Sequence, residues 1–224
     1  VGHFGSSAIV GGGIPLGTGQ ALSMRMRGED RACAIFFGDG AADEGVLYES
    51  INFAILKRLP VLYVLENNQW SVCSRVEARR PQGALFLHLP QDMLPNRTVD
   101  GNDAVAVHAA AHTMIEKTRS GGGPAFLECV TYRWRGHAGS YSDAGAGYRS
   151  AEEIAAWEAR CPLIRLEKVL RDTGTADDAW FRHEELAVSA EIDAAFAEAE
   201  AAAPANPATL HDHIFATACE GEPQ

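Results

Sequence analysis

The amino-acid sequence predicts an α/β fold, with a mostly parallel sheet and helices on both of its faces. Two observations lead to this prediction. Short, continuous apolar runs, which are typical of buried strands, alternate along the chain with segments of helical length. The segment between the first two apolar runs is long enough for the crossover helix that parallel strands need. Alternating elements of this kind are typical of a parallel sheet covered by helices.

An N-terminal helix and a strand–helix–strand unit come first. The helix is predicted over residues 16–27, directly after Pro15, which suits the first turn of a helix. Residues 32–37 are predicted to be a strand buried on both faces, residues 44–59 a helix, and residues 61–65 a second buried strand. We expect the two strands to be parallel and joined by a right-handed connection.

The pattern recurs after a long irregular stretch. Residues 71–99 are predicted to be mostly loop with one short helix. Residues 100–103 read Asp-Gly-Asn-Asp, which predicts a turn and an N-cap before a helix over residues 104–119. Residues 125–132 predict a third strand, and residues 135–149 have the small, polar composition of a loop.

The C-terminal part of the chain is predicted to be helical, with segments near residues 151–159, 163–172 and 180–203. We therefore expect two parts. One is an α/β domain over residues 1–150, and the other is a helical C-terminal extension over residues 151–224 that packs on it.

Composition narrows the classes of function. The 224 residues are 46% hydrophobic and carry a formal charge of −11, which excludes a disordered chain and argues against nucleic acid or an anionic membrane as a partner. The five scattered cysteines form no Cys-x-x-Cys pair, which suits a reducing, cytoplasmic location. The sequence begins at Val1 with no signal-peptide pattern, and we expect a chain that is N-terminally incomplete.

Three polar side chains follow the predicted strands: Asp39, Asn68 and His137. Ligands of open parallel sheets bind beyond the carboxyl ends of the strands, where side chains from neighbouring strands converge. A carboxylate and an amide oxygen are hard ligands that suit Mg²⁺, and Mg²⁺ commonly takes further ligands from substrate phosphates. Backbone N–H groups of Gly40 and Ala41 favour an anion at the same place. The sequence therefore predicts a metal–diphosphate site.

The spacing of these residues makes the prediction specific. Gly38-Asp39-Gly40 alone is most often a turn, and so is Asn67-Asn68. Here 26 residues separate Gly40 from Asn67, and one helix and one strand fill the interval. The ordered pair resembles the thiamine-diphosphate motif.

The surrounding sequence resembles the alpha subunits of thiamine-diphosphate-dependent 2-oxo acid dehydrogenases, with the pyruvate and acetoin enzymes the nearest. The resemblance extends from about Ile9 to at least Leu170. It is carried by four segments in the family's order: Gly-Asp-Gly-Ala-Ala at 38–42, Glu-Asn-Asn at 66–68, Thr-Tyr-Arg-Trp-Arg-Gly-His at 131–137, and Tyr-Arg-Ser-Ala-Glu-Glu-Ile at 148–154. It implies the thiamin diphosphate-binding fold, with residues 1–150 as its pyrophosphate-binding domain.

The resemblance also implies roles for single residues. Asp39 and Asn68 would bind Mg²⁺ through their side chains and Trp70 through its backbone carbonyl. Gly40 and Ala41 would contact the diphosphate of the cofactor. A further group would act around the reacting atoms: Ala8 and Val10 match positions whose main chain touches the aminopyrimidine side of the cofactor, and His137 matches the active-site loop histidine.

The sequence also departs from the family, and the loop between His137 and Tyr148 is longer than in the mitochondrial members. Ala138 stands where mitochondrial members often carry a serine that is regulated by phosphorylation, so kinase control at that position is not expected. Asp43 and Glu44 replace the Asn-Gln that is common after Gly-Asp-Gly-Ala-Ala, which adds negative charge near the predicted diphosphate. These acidic side chains would weaken the site unless they point away from it.

The resemblance implies an oxidoreductase that decarboxylates a 2-oxo acid, or cleaves acetoin, and passes the acyl group to a lipoyl-bearing acyltransferase. The cofactors would be thiamine diphosphate and Mg²⁺. A beta subunit would complete the site in an α2β2 heterotetramer, so the isolated chain is expected to be inactive. A non-catalytic subunit of the same fold, acting as an interaction partner, is the alternative.

A nucleotide-binding dehydrogenase is disfavoured, because Gly17-Thr18-Gly19 lacks the third glycine of the dinucleotide fingerprint and does not follow a strand. The chain also lacks the Gly-x-x-x-x-Gly-Lys-[Ser/Thr] loop of nucleotide triphosphatases.

Overall fold

A parallel sheet organises the larger part of the chain. The computed structural model describes residues 2–80, 93–210 and 212. Within them, the sheet has the strand order β1-β2-β6-β5, and each neighbouring pair is parallel. Its strands are β1 Cys33–Gly38, β2 Val61–Asn67, β5 Asn96–Asp100 and β6 Ala125–Val130. The prediction of an α/β fold with a mostly parallel sheet is confirmed.

Helices and one small hairpin connect and cover the strands. The hairpin pairs β3 with β4 in antiparallel fashion. The elements are α1 Gly13–Met26, α2 Gly45–Lys57, β3 Trp70–Ser71, β4 Ser74–Arg75, α3 Val76–Arg79, α4 Ala104–Lys117, α5 Ala151–Glu158, α6 Pro162–Asp172 and α7 Asp178–Ala201. The predicted helices are therefore present, with ends shifted by a few residues.

The two faces of the sheet carry separate cores. On one face, α1 and α2 pack against β1 and β2 in a cluster that includes Ile14, Ile35, Ile51 and Tyr63. On the other face, α4 packs against β2 and β6 through Met114 and its neighbours. The helices lie on both faces of the sheet, as predicted. The ends of the strands are therefore the part of the sheet that the helices leave uncovered.

Strand β1 is half-buried, so the prediction of a strand buried on both faces was wrong. Ile35 and Phe37 are buried, whereas Phe36 between them is 65% exposed. The physical reason is position. Strand β1 lies at the edge of the described sheet. On the face that carries Phe36, helix α4 packs on β2 and β6 and not on β1.

Helix α4 begins directly after its predicted N-cap residue. Asp103 is the N-cap of α4, as predicted, and its carboxylate accepts a hydrogen bond from the backbone N–H of Ala106 at 3.0 Å.

The prediction that residues 71–99 are mostly loop missed strand β5 and the β3–β4 hairpin. Strand β5 is a polar edge strand without the apolar run that marks a buried one. Residues 81–92 lie outside the described residues.

Contacts divide the chain into two units, with the boundary after Val169. In the second unit, Asp177 caps α7 by accepting a hydrogen bond from the backbone N–H of Trp180 at 2.8 Å. The guanidinium of Arg171 lies 4.2 Å from the ring centre of Phe181. The predicted domain division at residue 150 and the packing of the extension stay predictions. None of the described helices is long and apolar enough to cross a membrane.

Candidate functional site

The carboxyl ends of β1 and β2 lie side by side. Gly38, the last residue of β1, pairs with Glu66 in the parallel register, so the chain leaves both strands at the same edge of the sheet. Asp39 follows β1 directly and is only 1% exposed. Asn68 follows β2 and is half-buried. The structure therefore brings the two predicted side-chain metal ligands to neighbouring strand ends.

Gly40 lies against the hairpin that follows β2. A Cβ atom added to Gly40 would lie 2.4 Å from Oγ of Ser71 and 3.0 Å from its Cβ. Glycine is therefore required for this close approach. The turn of 3₁₀ helix Ala41–Asp43 follows, and the first N–H groups of such a turn have no partner within it. Gly40 and Ala41 can offer these groups to an anion.

Two asparagines shape the chain after β2. The side-chain oxygen of Asn67 accepts the backbone N–H of Gln69 at 3.1 Å, and that of Asn68 accepts the backbone N–H of Trp70 at 3.0 Å. These turns hold Gln69 at a positive φ of 67°. Because an amide oxygen has two lone pairs, the Asn68 oxygen keeps a second acceptor position for a cation.

Glu128 is a buried carboxylate that the sequence reasoning missed. It lies on β6 and is 6% exposed. Its Oε1 accepts the side-chain N–H of Asn67 at 2.7 Å, and its Oε2 accepts the hydroxyl of Thr98 at 2.8 Å. Glu128 thereby fixes the asparagine that precedes Asn68. A charged residue inside an otherwise apolar strand was the available signal.

Arg79, at the end of α3, forms ion pairs with both Asp39 and Asp43. The neighbouring Arg80 forms an ion pair with Asp43 alone among the described acidic residues. The extra negative charge that Asp43 brings to this turn is therefore balanced by two guanidinium groups. Sequence reasoning missed Arg79, because its partners lie about 40 positions away and no local pattern joins them.

The segment before α1 lies beside the same turn. Ala8 and Val10 are exposed and lie outside regular structure. Next to Val10, Gly11 adopts a φ of +78°, and a Cβ atom on it would lie 3.1 Å from Cγ of Glu44. The predicted aminopyrimidine-contacting residues are thus on the side of the sheet where the β1 loop emerges.

The segment after β6 carries His137, which is exposed. Nη2 of Arg133 donates to the backbone carbonyl of Val72 at 3.0 Å, and the rings of Tyr148 and Trp70 meet edge to face with centres 5.4 Å apart. The loop with His137 is therefore anchored to the β3–β4 hairpin. Among the described contacts, none joins the His137 side chain to Asp39, Asn68 or Trp70.

A buried polar network closes this loop at its base. Arg149 donates to Asp143 and to the backbone carbonyls of Arg133 and Arg135. Burial alone would raise the pKa of Asp143, but hydrogen bonds from Tyr148 and Arg149 hold that pKa below its ordinary value. Burial and the hydrogen bond to Asp143 raise the pKa of Tyr148. The Asp143 carboxylate is thus stabilised as an anion.

The donor set fits a hard divalent cation. It combines the buried Asp39 carboxylate with the Asn68 amide oxygen and the backbone carbonyl of Trp70. Across residues 2–80, 93–210 and 212, no three His, Cys, Asp or Glu side chains converge as a metal cluster. The Asn68 amide oxygen and the Trp70 backbone carbonyl are the candidates for the other protein ligands of a cation on Asp39. The metal and cofactor roles of the named residues stay predictions.

The chain is similar to known proteins over nearly its whole length. The family described as "Dehydrogenase E1 component" matches residues 2–208. The pyruvate dehydrogenase E1 component subunit alpha of Rhizobium meliloti (strain 1021) is 42% identical over 178 residues, covering 79% of this chain and 50% of the relative. The somatic mitochondrial form of that subunit from Homo sapiens is 34% identical over 217 residues, covering 96% and 54%. The type I mitochondrial form from Ascaris suum is 38% identical over 197 residues, covering 88% and 49%. The chain spans about half the length of these curated relatives.

Proposed function

The chain belongs to the dehydrogenase E1 component family, and from that membership we propose that it is the alpha-type part of a thiamine-diphosphate- and Mg²⁺-dependent 2-oxo acid dehydrogenase. In this role it would take part in decarboxylating a 2-oxo acid, as an oxidoreductase of the acyl-transferring type. Because the relatives are pyruvate dehydrogenase subunits, pyruvate is the first substrate to test, ahead of acetoin.

One observation carries the proposal. Asp39 is buried at the carboxyl end of β1, and Asn68 lies at the carboxyl end of the neighbouring parallel strand β2. Asp39, Asn68 and the Trp70 carbonyl would hold Mg²⁺. Backbone N–H groups of Gly40 and Ala41 would hold the diphosphate, whose negative charge suits the start of a helical turn.

The remaining residues orient the reacting part of the cofactor. Ala8 and Val10 would contact its aminopyrimidine side through their main chain. When bound, thiamine diphosphate supplies the nucleophilic carbon and the electron sink for loss of CO₂. His137, on the loop anchored to the hairpin, would orient the substrate and move a proton, because an imidazole can both donate and accept near neutral pH.

Completion of the site would need other chains. We propose a beta subunit, in an α2β2 heterotetramer, that holds the other side of the cofactor, and a lipoyl-bearing acyltransferase that accepts the acyl group. The exposure of Ala8, Val10 and His137 supports a site that is finished by a partner. The isolated chain would then be inactive. The cytoplasmic location stays a prediction.

One observation favours the alternative, a non-catalytic subunit that keeps the fold. Arg79 forms an ion pair with Asp39, at the carboxylate that a metal would use. A chain that has lost its metal would have this cation permanently in place. Metal binding in solution separates the two functions.

The test replaces Asp39 by Ala in the full chain, reconstituted with a beta subunit. Calorimetry then follows the binding of thiamine diphosphate with and without Mg²⁺. We expect Mg²⁺-dependent binding in the unaltered complex and none with Asp39→Ala. Asp30→Ala is the matched control, because Asp30 is 78% exposed and pairs with Arg119 away from the site. Mg²⁺-dependent binding retained by Asp39→Ala would refute the metal role, and no binding by the unaltered complex would support the non-catalytic alternative.

A further inference from the structure

Arg79 occupies one oxygen of the Asp39 carboxylate, the group that a bound cation would use. Its guanidinium pairs with Asp39 through Nη2 and with Asp43 through Nη1, and Nη1 is also 3.4 Å from the backbone carbonyl oxygen of Asp39. The Asp39 side chain is 1% exposed and that of Arg79 is 16% exposed. Water therefore screens this pair little, and the guanidinium is the charge that balances Asp39.

The nitrogen atoms of the Arg79 guanidinium differ in their hydrogen bonding. Its Nε is buried and has no hydrogen-bond partner among the described residues. A guanidinium carries five N–H donors in a fixed fork, so the two-carboxylate contact leaves Nε unsatisfied. Arg80 forms an ion pair with Asp43 through its Nε and does not pair with Asp39. Arg79 thus has a second carboxylate partner, Asp43, besides Asp39.

We propose that Arg79 is a resident counter-ion of Asp39, which competes with the divalent cation and must turn away from Asp39 before the metal binds. This inference rests on the proposed function, because it assigns a regulator to the same metal site. A divalent cation and a guanidinium in contact with the same buried carboxylate repel each other. The affinity for metal is then lowered by the fraction of molecules in which Arg79 lies on Asp39.

The experiment measures Mn²⁺ binding by electron paramagnetic resonance to the full chain reconstituted with a beta subunit, in the presence of thiamine diphosphate, because the diphosphate supplies further ligands to the metal. Mn²⁺ accepts the same oxygen ligands as Mg²⁺. Arg79→Gln removes the competing charge, and Arg80→Gln is the matched control, since it removes the same charge one residue away without touching Asp39. For a site free of Arg79 about one-tenth of the time, Arg79→Gln tightens Mn²⁺ binding about tenfold. Arg80→Gln is expected to change it by less than about threefold.

The outcomes separate this inference from the proposed function. Equal affinities for the unaltered chain and Arg79→Gln, with binding still lost in Asp39→Asn, would overturn the competition and leave the metal site standing. Equal tightening by Arg79→Gln and Arg80→Gln would also overturn it. The cause would then be the loss of one positive charge near the site, and not the loss of the contact with Asp39. Mn²⁺ binding that is absent, or that survives in Asp39→Asn, would refute the metal site itself.

A second variant guards against a failure of Arg79→Gln to fold, which circular dichroism would reveal. Arg79→Lys keeps the charge but replaces the fork by a single ammonium that cannot bridge Asp39 and Asp43 equally well. We expect Arg79→Lys to bind Mn²⁺ more tightly than the unaltered chain and less tightly than Arg79→Gln. Unchanged affinity in Arg79→Lys would count against the competition.

Discussion

Arg149 and Asp143 form a buried ion pair beneath the loop that carries His137. Nε of Arg149 lies 3.1 Å from Oδ1 of Asp143, and the two side chains are 0% and 2% exposed. Nη2 of Arg149 also donates to the backbone carbonyl of Arg135 at 3.1 Å. The pair therefore ties the residue two positions before His137 to the far end of the same loop.

Loss of Arg149 is expected to release this loop. Arg149→Gln leaves the Asp143 carboxylate buried without its main partner, a loss that typically costs about 3–5 kcal/mol. Urea unfolding should show a lower midpoint, and hydrogen exchange should accelerate over residues 135–148. The control, Arg119→Gln, removes an exposed ion pair with Asp30 and should lower the midpoint much less. Equal effects of the two variants would contradict a structural role for the buried pair.

Acid is expected to disrupt the same network. Hydrogen bonds hold the pKa of Asp143 below its ordinary value of 3.8, despite the opposing effect of burial. A depressed pKa stabilises the fold at pH values above 3.8, and this stabilisation is lost as the pH falls through the folded-state pKa. The protection of residues 135–148 from hydrogen exchange, measured relative to the intrinsic exchange rate at each pH, should therefore be high at pH 5 and should fall as the pH drops below 3.8. In Asp143→Asn this pH dependence should be absent; an unchanged profile would show that another group controls the loop.

The parts of the fold that follow from local pattern were predictable. Strands β1 and β2 were visible as apolar runs, and the interval between Gly40 and Asn67 fixed their order and direction. Strand β5 was missed, because its polar sequence is held in place by pairing with β6 rather than by its own apolar content. Phe36 was expected to be buried because a run of apolar letters does not show that its strand lies at a sheet edge.

The candidate site divides in the same way. Asp39 and Asn68 could be predicted, because topology alone places the ends of neighbouring parallel strands together. The ion pair of Arg79 with Asp39 could not, since it depends on how the hairpin after β2 folds back over the β1 turn. The effect of Asp43 was left open by the sequence, and the structure shows its charge paired with Arg79 and Arg80.

Gly40 is expected to tolerate no side chain. In Gly40→Ala the new Cβ would meet Oγ of Ser71 at 2.4 Å, and overpacking of this kind typically costs about 1–3 kcal/mol. The urea midpoint should fall, and Mg²⁺-dependent binding of thiamine diphosphate to the reconstituted complex should weaken. Adding Ser71→Gly should restore part of both. Gly45→Ala is the control, because a Cβ there meets no atom within 4 Å; a loss as large as that of Gly40→Ala would contradict the steric explanation.

Glu128 is expected to act as a double acceptor that holds the turn of Asn67. In Glu128→Ala both the Asn67 amide and the Thr98 hydroxyl lose their partner, and an unsatisfied buried group costs about 1–3 kcal/mol. Glu128→Gln should cost less, because its amide oxygen still accepts from Asn67 and its amide N–H can donate to the Thr98 oxygen. Urea unfolding should therefore rank the variants with Glu128→Ala lowest. Mn²⁺ binding should follow the same order, because Asn68 depends on the turn beside it. If Glu128→Gln proved as damaging as Glu128→Ala, the negative charge of Glu128, rather than its acceptor geometry, would be what the site requires.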